Sequence, residues 1–286
     1  RHVVTSRENC MKIIETLSGL KSELLDSQSP LGLVPTMGFL HEGHMALIRR
    51  ARADNATVAV SIFVNPAQFG PKEDLSSYPR DMVGDLAKLE NAHVDVVFVP
   101  STEEVYPEDF DTHVEPGEMA ERLEGASRPG HLQSVATVVC KLLSMVRPDR
   151  VYFGQKDAQQ VLVVKRVNAD LNLGAEVVVV PTVRAPDGIA ISSRNIYLKP
   201  AEREAATVLH RALLLAAKLD SNDVLETKLC LRKLIEGEEL AAVDYISVAD
   251  PETLKEMEVI DRPALLSIAV WIGKARLIDN VLLKPR

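Results

Sequence analysis

Short apolar runs alternate with amphipathic stretches along the first two thirds of the chain. Residues 31–35 form an apolar run ending at Pro35, which predicts a strand. Residues 43–53 then place Met45, Leu47, Ile48 and Ala51 at near-helical spacing. The β-branched run 57–64 predicts a buried strand, 80–92 a helix carrying Val83, Leu86, Ala87 and Leu89, and 94–99 another buried strand. The alternation continues with a helix over 132–146 stopped by Pro148, a strand over 150–153, a helix over 156–171 and a strand over 175–180 ended by Pro181. Continuous apolar strands separated by helices indicate a parallel sheet covered on both faces. With right-handed crossovers this is an α/β fold, a Rossmann-like doubly wound parallel sheet.

The pattern changes near residue 183. Ala185-Pro186-Asp187-Gly188 supplies a turn, residues 200–219 and 224–235 read as helices, and 243–248, 265–271 and 276–283 read as strands. Helices followed by strands predict a separate, smaller C-terminal α+β domain. The expected division is therefore 1–182 for the Rossmann-like domain and 183–286 for a smaller lid domain. Residues 1–10 differ in character from the rest of the chain, and Met11 reads as a natural start.

Composition narrows the function classes. A chain of 286 residues with 46% apolar and 26% charged residues can bury a real core. A net charge of −8 and only 4% aromatics argue against a nucleic-acid partner. Arg49-Arg50-Ala51-Arg52 is a short basic cluster that reads as the solvated face of a helix. Cys10, Cys140 and Cys230 stand far apart, with no C-x-x-C pair, which points to a reducing, cytoplasmic setting. No apolar run is long enough for a membrane helix, so no membrane partner is expected.

Four polar blocks stand where strands run into loops. Pro35-Thr36-Met37-Gly38-Phe39-Leu40-His41-Glu42-Gly43-His44 follows a strand and opens a helix, whose free N–H groups and positive end suit phosphate. Its two histidines, three apart, could grip phosphate oxygens and donate protons to developing negative charge. The spacing H-E-x-H is not the H-E-x-x-H of zinc proteases, and no phosphate-binding G-x-x-x-x-G-K-[ST] or G-x-G-x-x-G is present. In Val64-Asn65-Pro66-Ala67-Gln68-Phe69-Gly70, Asn65 and Gln68 offer neutral amides that suit a hydroxylated acid, or simply stabilise a turn. In Phe153-Gly154-Gln155-Lys156-Asp157, Lys156 is a natural phosphate contact and Asp157 either a ribose contact or a helix cap, with Gln160 one turn on. Ile191-Ser192-Ser193-Arg194-Asn195 has the hydroxyls and guanidinium of a mobile phosphate clamp.

In order and spacing, these blocks resemble the P-T-M-G-x-L-H-x-G-H, F-V-N-P-x-Q-F, F-G-x-K-D and S-S-R-N motifs of the pantothenate synthetase (pantoate–β-alanine ligase) family, within the HxGH nucleotidyltransferases. The resemblance implies an ATP-dependent, AMP-forming ligase that joins pantoate to β-alanine through a pantoyl adenylate, with Mg²⁺ on the phosphates and a homodimeric assembly. It implies that Met37, Gly38, Phe39, Leu40, His41, Glu42, Gly43 and His44 bind ATP, together with Gly154, Gln155, Lys156, Asp157, Val183, Ile191, Ser192, Ser193 and Arg194. Of these, His41, His44, Lys156, Ser192, Ser193 and Arg194 would carry the negative charge of the reaction. Gln68, Gln160 and Asn65 would hold pantoate, with Gln68 also meeting β-alanine. Glu124 and Arg128 match a further family segment. The chain departs from the family at Ala158, where tyrosine is frequent, at Gln155, where glutamate is common, and at Leu132-Gln133-Ser134, where an aromatic and a glycine are usual. Three rival readings are an adenylyltransferase with a phosphate acceptor, an RNA-binding module and a metal-binding protein. The neutral amide loop, the acidic balance and the lack of an obvious third ligand weigh against them in turn.

Overall fold

The computed structural model describes residues 11–71, 73 and 75–286; the expectation about a start at Met11 concerns residues that lie outside this range. Six parallel strands, β1 (Lys12–Ile14), β2 (Leu31–Thr36), β3 (Thr57–Ile62), β4 (Val96–Phe98), β5 (Arg150–Gly154) and β6 (Glu176–Val180), form one sheet in the order β1-β4-β3-β2-β5-β6. Its helices are α1 (Leu17–Leu24), α2 (Glu42–Asp54), α3 (Met82–Asn91), the single turns α4 (Thr102–Val105) and α5 (Glu124–Ser127), α6 (His131–Val146) and α7 (Ala158–Asp170). Alternate side chains of the strands feed two cores, as the pleat requires. Leu31, Leu33, Ala59 and Phe63 pack with Leu20 of α1 and with Val135, Val139 and Leu142 of α6. Val34, Val58, Val60 and Ile62 pack on the other face with Leu47, Ile48 and Ala51 of α2 and Leu89 of α3. This double burial is why the strands read as unbroken apolar runs.

Beyond β6 the chain builds α8 (Pro200–Ala216), α9 (Val224–Glu236) and an antiparallel sheet of β7 (Ala241–Ala249), β8 (Ala264–Ile272) and β9 (Ala275–Leu283). Its own core joins Leu209 and Leu213 of α8 and Leu231 of α9 to Leu266, Ile268 and Val270 of β8. The expected turn at 185–188 closes an antiparallel bridge between Arg184 and Ala190. Among the described residues no helix is long and apolar enough to cross a membrane.

Besides the single turns α4 and α5, two elements escape the hydrophobic pattern. β1 has three residues, none fully buried, and α1 buries only Leu20 among eight, so neither leaves a periodic trace. The start of the helix expected from 156 is also displaced. Residues Gln155–Asp157 form a 3₁₀ turn, and Asp157, at φ −100° and ψ 55°, lies outside the helical region, so α7 begins at Ala158.

Polar contacts join the small sheet to the large one beside the strand ends. Asn280 of β9 donates from Nδ2 to the carbonyls of Gln155 and Lys156 at 2.9 Å each, and Gln155 Nε2 returns a bond to Asn280 Oδ1 at 3.0 Å. Arg276 of β9 makes a bidentate pair with Glu124 of α5 at 2.7 and 2.9 Å, and Tyr245 of β7 donates its hydroxyl to the same carboxylate at 2.8 Å. The two charged side chains are only 13% and 10% exposed. Arg276 also pairs with Asp244 at 2.7 Å, so removing Glu124 leaves the buried guanidinium one carboxylate short and strips the Tyr245 hydroxyl of its acceptor. Glu124→Ala should therefore destabilise the protein by about 3 kcal/mol in denaturant unfolding; a loss below about 1 kcal/mol, the scale of a surface pair, would show that the contact does not tie the sheets together.

Candidate active site

Strand order runs from β2 through β3 and β4 on one side, and through β5 and β6 on the other. The carboxyl ends of β2 and β5 therefore flank the switch point, where open α/β sheets leave a crevice for ligands. The histidine loop leaves β2 there and the Lys156 turn leaves β5.

After Thr36 the backbone turns through two left-handed residues, Gly38 at φ 81° and Phe39 at φ 51°. A Cβ at Gly38 would meet Ile62 Cγ2 at 3.0 Å. The reversal delivers His41 to the position preceding α2 and His44 to its third residue. The two imidazoles stack, with centroids 3.9 Å apart and planes at 23°. The backbone N–H of His41 donates to His44 Nδ1 at 3.3 Å, which puts the proton of a neutral His44 on Nε2. Nδ1 of His41 is buried without a hydrogen-bond partner. Gly43 is needed between them, because a Cβ there would stand 3.0 Å from Cε1 and Nδ1 of the His41 ring.

Burial, then the charge of Lys156, lowers the His41 pKa to about 4. Burial, then the neighbouring His41, lowers that of His44 to about 3. Both rings are thus neutral near neutral pH, and each offers an N–H rather than a charge. Lys156 Nζ donates to Asp157 Oδ1 at 3.2 Å. Burial pushes the Asp157 carboxyl up, but Lys156, Arg194 and His44 outweigh it and hold the group below its ordinary range. Asp157 makes no cap bond to α7 and is among the residues that line the cleft.

The second block folds into a 3₁₀ turn, Pro66–Gln68. Asn65 is buried and its amide is occupied by protein. Oδ1 accepts from the Tyr106 hydroxyl at 3.0 Å and from the Ala67 N–H at 3.3 Å, while Nδ2 donates to Gln68 Oε1 at 3.3 Å and to the Ser134 carbonyl at 3.4 Å. Gln68 Nε2 lies 2.9 Å from Met37 Sδ. Below it, Arg128 Nη1 meets His131 Nε2 at 3.0 Å and His131 Nδ1 meets the Gln68 carbonyl at 2.9 Å. Arginine can only donate, so Nε2 accepts and the ring's proton is on Nδ1. Burial and Arg128 lower the His131 pKa to about 4, in keeping with a neutral ring. Arg128 also forms a bidentate pair with Glu73 at 2.6 and 2.7 Å.

The fourth block follows the same logic. Ile191 N–H bonds the Val183 carbonyl at 2.9 Å, Ser192 N–H bonds Asn195 Oδ1 at 2.7 Å, and Tyr197 donates to the Ser77 carbonyl at 3.2 Å. The segment is thereby fastened to both β6's exit and the 75–77 turn.

An open cleft brings together Met37, His41, Gly43, His44, Asn65, Gln68, Gly154, Lys156, Asp157, Gln160, Val183, Ile191, Ser192, Ser193 and Arg194. Five expected residues lie off it. Gly38 and Phe39 form the reversal behind the histidines, Leu40 is buried in the α2 core, Glu42 turns outward to pair with Arg49, and Gln155 is engaged by Asn280. Each stands in a segment whose neighbours line the cleft. Residues not picked out in advance also line the cleft: Tyr78, Thr182, and an apolar wall of Phe63, Val135, Val138, Val139 and Leu142. Thr182 Oγ1 is buried there without a partner. A smaller adjoining pocket shares Arg128, Lys156, Gln160 and Arg194 and runs toward Arg276 and Tyr245. The departures at Ala158 and Leu132 meet in one cluster with Met119 and Ala136, so two smaller residues pack together.

The sequence model of the family described as Pantoate-beta-alanine ligase matches residues 9–282. The pantothenate synthetase of Roseiflexus sp. (strain RS-1) is 54% identical over 279 residues, covering 96% of this chain and all of the relative. That of Thermotoga neapolitana is 49% identical over the same share. The crystal structure of pantothenate synthetase from Thermus thermophilus superposes with a TM-score of 0.91 at 45% identity, covering 96% of this chain and 100% of that one. The ligase from Francisella tularensis, solved with β,γ-ATP and β-alanine, gives 0.80 at 35% identity, covering 96% and 98%. A match that runs through both sheets, at identities near one half, extends the likeness well beyond the four motifs: the chain belongs to the pantoate–β-alanine ligase family.

Proposed function

We propose that this chain condenses pantoate with β-alanine at the cleft between β2 and β5, using ATP and passing through pantoyl adenylate. The observation that carries this reading is the pair of stacked, neutral imidazoles set across the switch point from Lys156 and Arg194, with Gln68 and Gln160 on the same cleft. Pantoate offers a carboxylate, two hydroxyls and a geminal dimethyl group. The amides of Gln68 and Gln160 suit the polar groups, and the wall of Val135, Val138, Val139 and Leu142 suits the methyls. Asn65 belongs to this set as the residue that orients Gln68, since its own amide is already bonded.

In the first step a carboxylate oxygen of pantoate attacks the α-phosphorus of ATP, and pyrophosphate leaves with the electrons of the broken P–O bond. In the second, the β-alanine amine attacks the acyl carbon, AMP leaves, and the amine's proton passes to solvent. Neither step needs a protein nucleophile. The protein contributes alignment and stabilisation of the charge that builds on the phosphates. Lys156 and Arg194 supply positive charge, and His44 Nε2–H and the hydroxyls of Ser192 and Ser193 supply hydrogen bonds. The neutral rings donate N–H groups and do not act as imidazolium acids in the unliganded protein. Val183 and Ile191, bonded backbone to backbone, flank the place for the adenine ring.

No group of three or more His, Cys, Asp or Glu able to hold a metal stands among the described residues. Asp157 is the carboxylate among the cleft residues described. This donor set suits a Mg²⁺ held chiefly by the triphosphate, with Asp157 as the protein's contribution. When bound, the ion neutralises phosphate charge. The unit from residue 183 onward serves as the lid in this reading. Its support is the fastening of 191–197 over the cleft and of Asn280 on the Lys156 turn.

Pantoate-dependent exchange of pyrophosphate into ATP, without β-alanine, tests the reading. His44→Ala should lower that exchange by about a hundredfold, the scale for losing one transition-state donor. Exchange at the wild-type rate in this variant would remove His44 from the chemistry. A second check concerns charge. Because burial lowers both histidine pKa values, the neutral form persists as pH falls, and the ring protons of His41 and His44 should not titrate by NMR between about pH 6 and pH 8. A midpoint near the free-imidazole value of about 6.5 would mean that the rings are solvated and not a buried pair.

A further inference from the structure

The loop that presents the histidines is held from a helix that contributes nothing to the cleft wall. Asp85 of α3 is 1% exposed. Its Oδ2 accepts the backbone N–H of Phe39 at 2.6 Å, and its Oδ1 that of Leu40 at 2.7 Å. One turn further along α3, Lys88 Nζ donates to the Leu40 carbonyl at 2.8 Å and stands 3.8 Å from Asp85 Oδ1. One helix thus grips three backbone polar atoms in the two residues before His41.

A buried carboxylate is costly unless its oxygens are bonded, and here each has its own amide. The backbone it grips needs the help. Gly38 and Phe39 both lie at positive φ, and for phenylalanine that conformation persists only where neighbours over-determine it. The grip falls where the strain is, and immediately before the two stacked rings. Asp85 sits one turn from Leu89, whose side chain is fully buried in the core, so the carboxylate stands on the buried stripe of α3.

We propose that Asp85, assisted by Lys88, is a positioning residue for the adenylation step: it fixes the reversal at 38–40 and thereby sets His41 and His44 in the stacked geometry that meets the triphosphate. It touches no substrate and acts through the histidines alone. The proposal rests on the assignment of those histidines to the reaction given above.

The test compares full-length Asp85→Asn, Lys88→Met, His44→Ala and the two double variants with His44→Ala, by pantoate-dependent pyrophosphate exchange, thermal unfolding and histidine ring NMR. Asp85→Asn keeps the shape but turns one accepting oxygen into an amide that faces an N–H. It should lower kcat by about ten- to a hundredfold, with KM for pantoate changed less than about twofold, as expected for misplaced groups rather than lost binding. Combined with His44→Ala it should cost no more than about a further twofold, because the two changes act through one unit. The ring resonances of His41 and His44 should shift in Asp85→Asn.

Unshifted rings, a wild-type kcat, or a full multiplicative loss in the double variant would each overturn the positioning role while leaving the histidine assignment intact. If His44→Ala itself exchanges at the wild-type rate, the proposal falls together with that assignment. Should Asp85→Asn lack a cooperative unfolding transition, Lys88→Met decides. It keeps the carboxylate and should lose about threefold in kcat, a loss that disappears on the His44→Ala background. An unchanged kcat in Lys88→Met would then overturn the proposal.

Discussion

Two imidazoles whose centroids lie 3.9 Å apart, both largely out of water, cannot both carry charge at tolerable cost. That constraint shapes the rest of the site. The rings stay neutral and the fixed positive charge comes from elsewhere, from Lys156 on the turn after β5 and Arg194 on the segment beyond β6. His44 commits Nδ1 to the backbone of His41, which puts the proton of the neutral ring on Nε2. Gly43 gives up its side chain so that the first ring can lie against the helix start. The result is a cleft that sets hydrogen-bond donors beside two cations.

The fold supplies this surface by simple means. A parallel sheet whose order reverses between β2 and β5 brings two loops from distant parts of the sequence to one edge. The small antiparallel sheet then steadies the Lys156 turn through Asn280, and α5 through Arg276. From α5 the contacts pass through Arg128 to His131, and from His131 to the Gln68 carbonyl. Buried polar groups of this kind are each bonded to another, so the Gln68 side of the cleft inherits its shape from a network rather than from any one contact.

Much of this could be read in advance, and the reasons are local. The strand over 57–64 and the helix over 132–146 show in the apolar pattern because both are deeply buried, and the His41 and Lys156 loops stand out as polar blocks at strand ends. What escaped depends on contacts between remote residues. Asp85 meets a loop 45 and 46 positions away, His131 meets Gln68 across 63, and Arg276 meets Glu124 across 152. One signal was available: Asp85 is a carboxylate set one helical turn before Leu89 on the stripe of α3 that faces the core. Within the segments assigned to ATP, side chains take different directions. Leu40, Glu42 and Gln155 share loops with cleft residues, but successive side chains of a turn or helix start point in different directions, and these three point into the core, into solvent and toward β9.

The chemistry turns on which phosphorus the acid attacks. Pantoate carrying heavy oxygen in its carboxylate, turned over with ATP and β-alanine, reports this directly by mass spectrometry of the products. Attack at the α-phosphorus leaves one labelled oxygen in AMP, and that is the expected result. Label in inorganic phosphate, with ADP formed in place of AMP, would mean an acyl phosphate formed at the γ-phosphorus, and would contradict the adenylate route on which the roles of His41, His44, Lys156 and Arg194 are built.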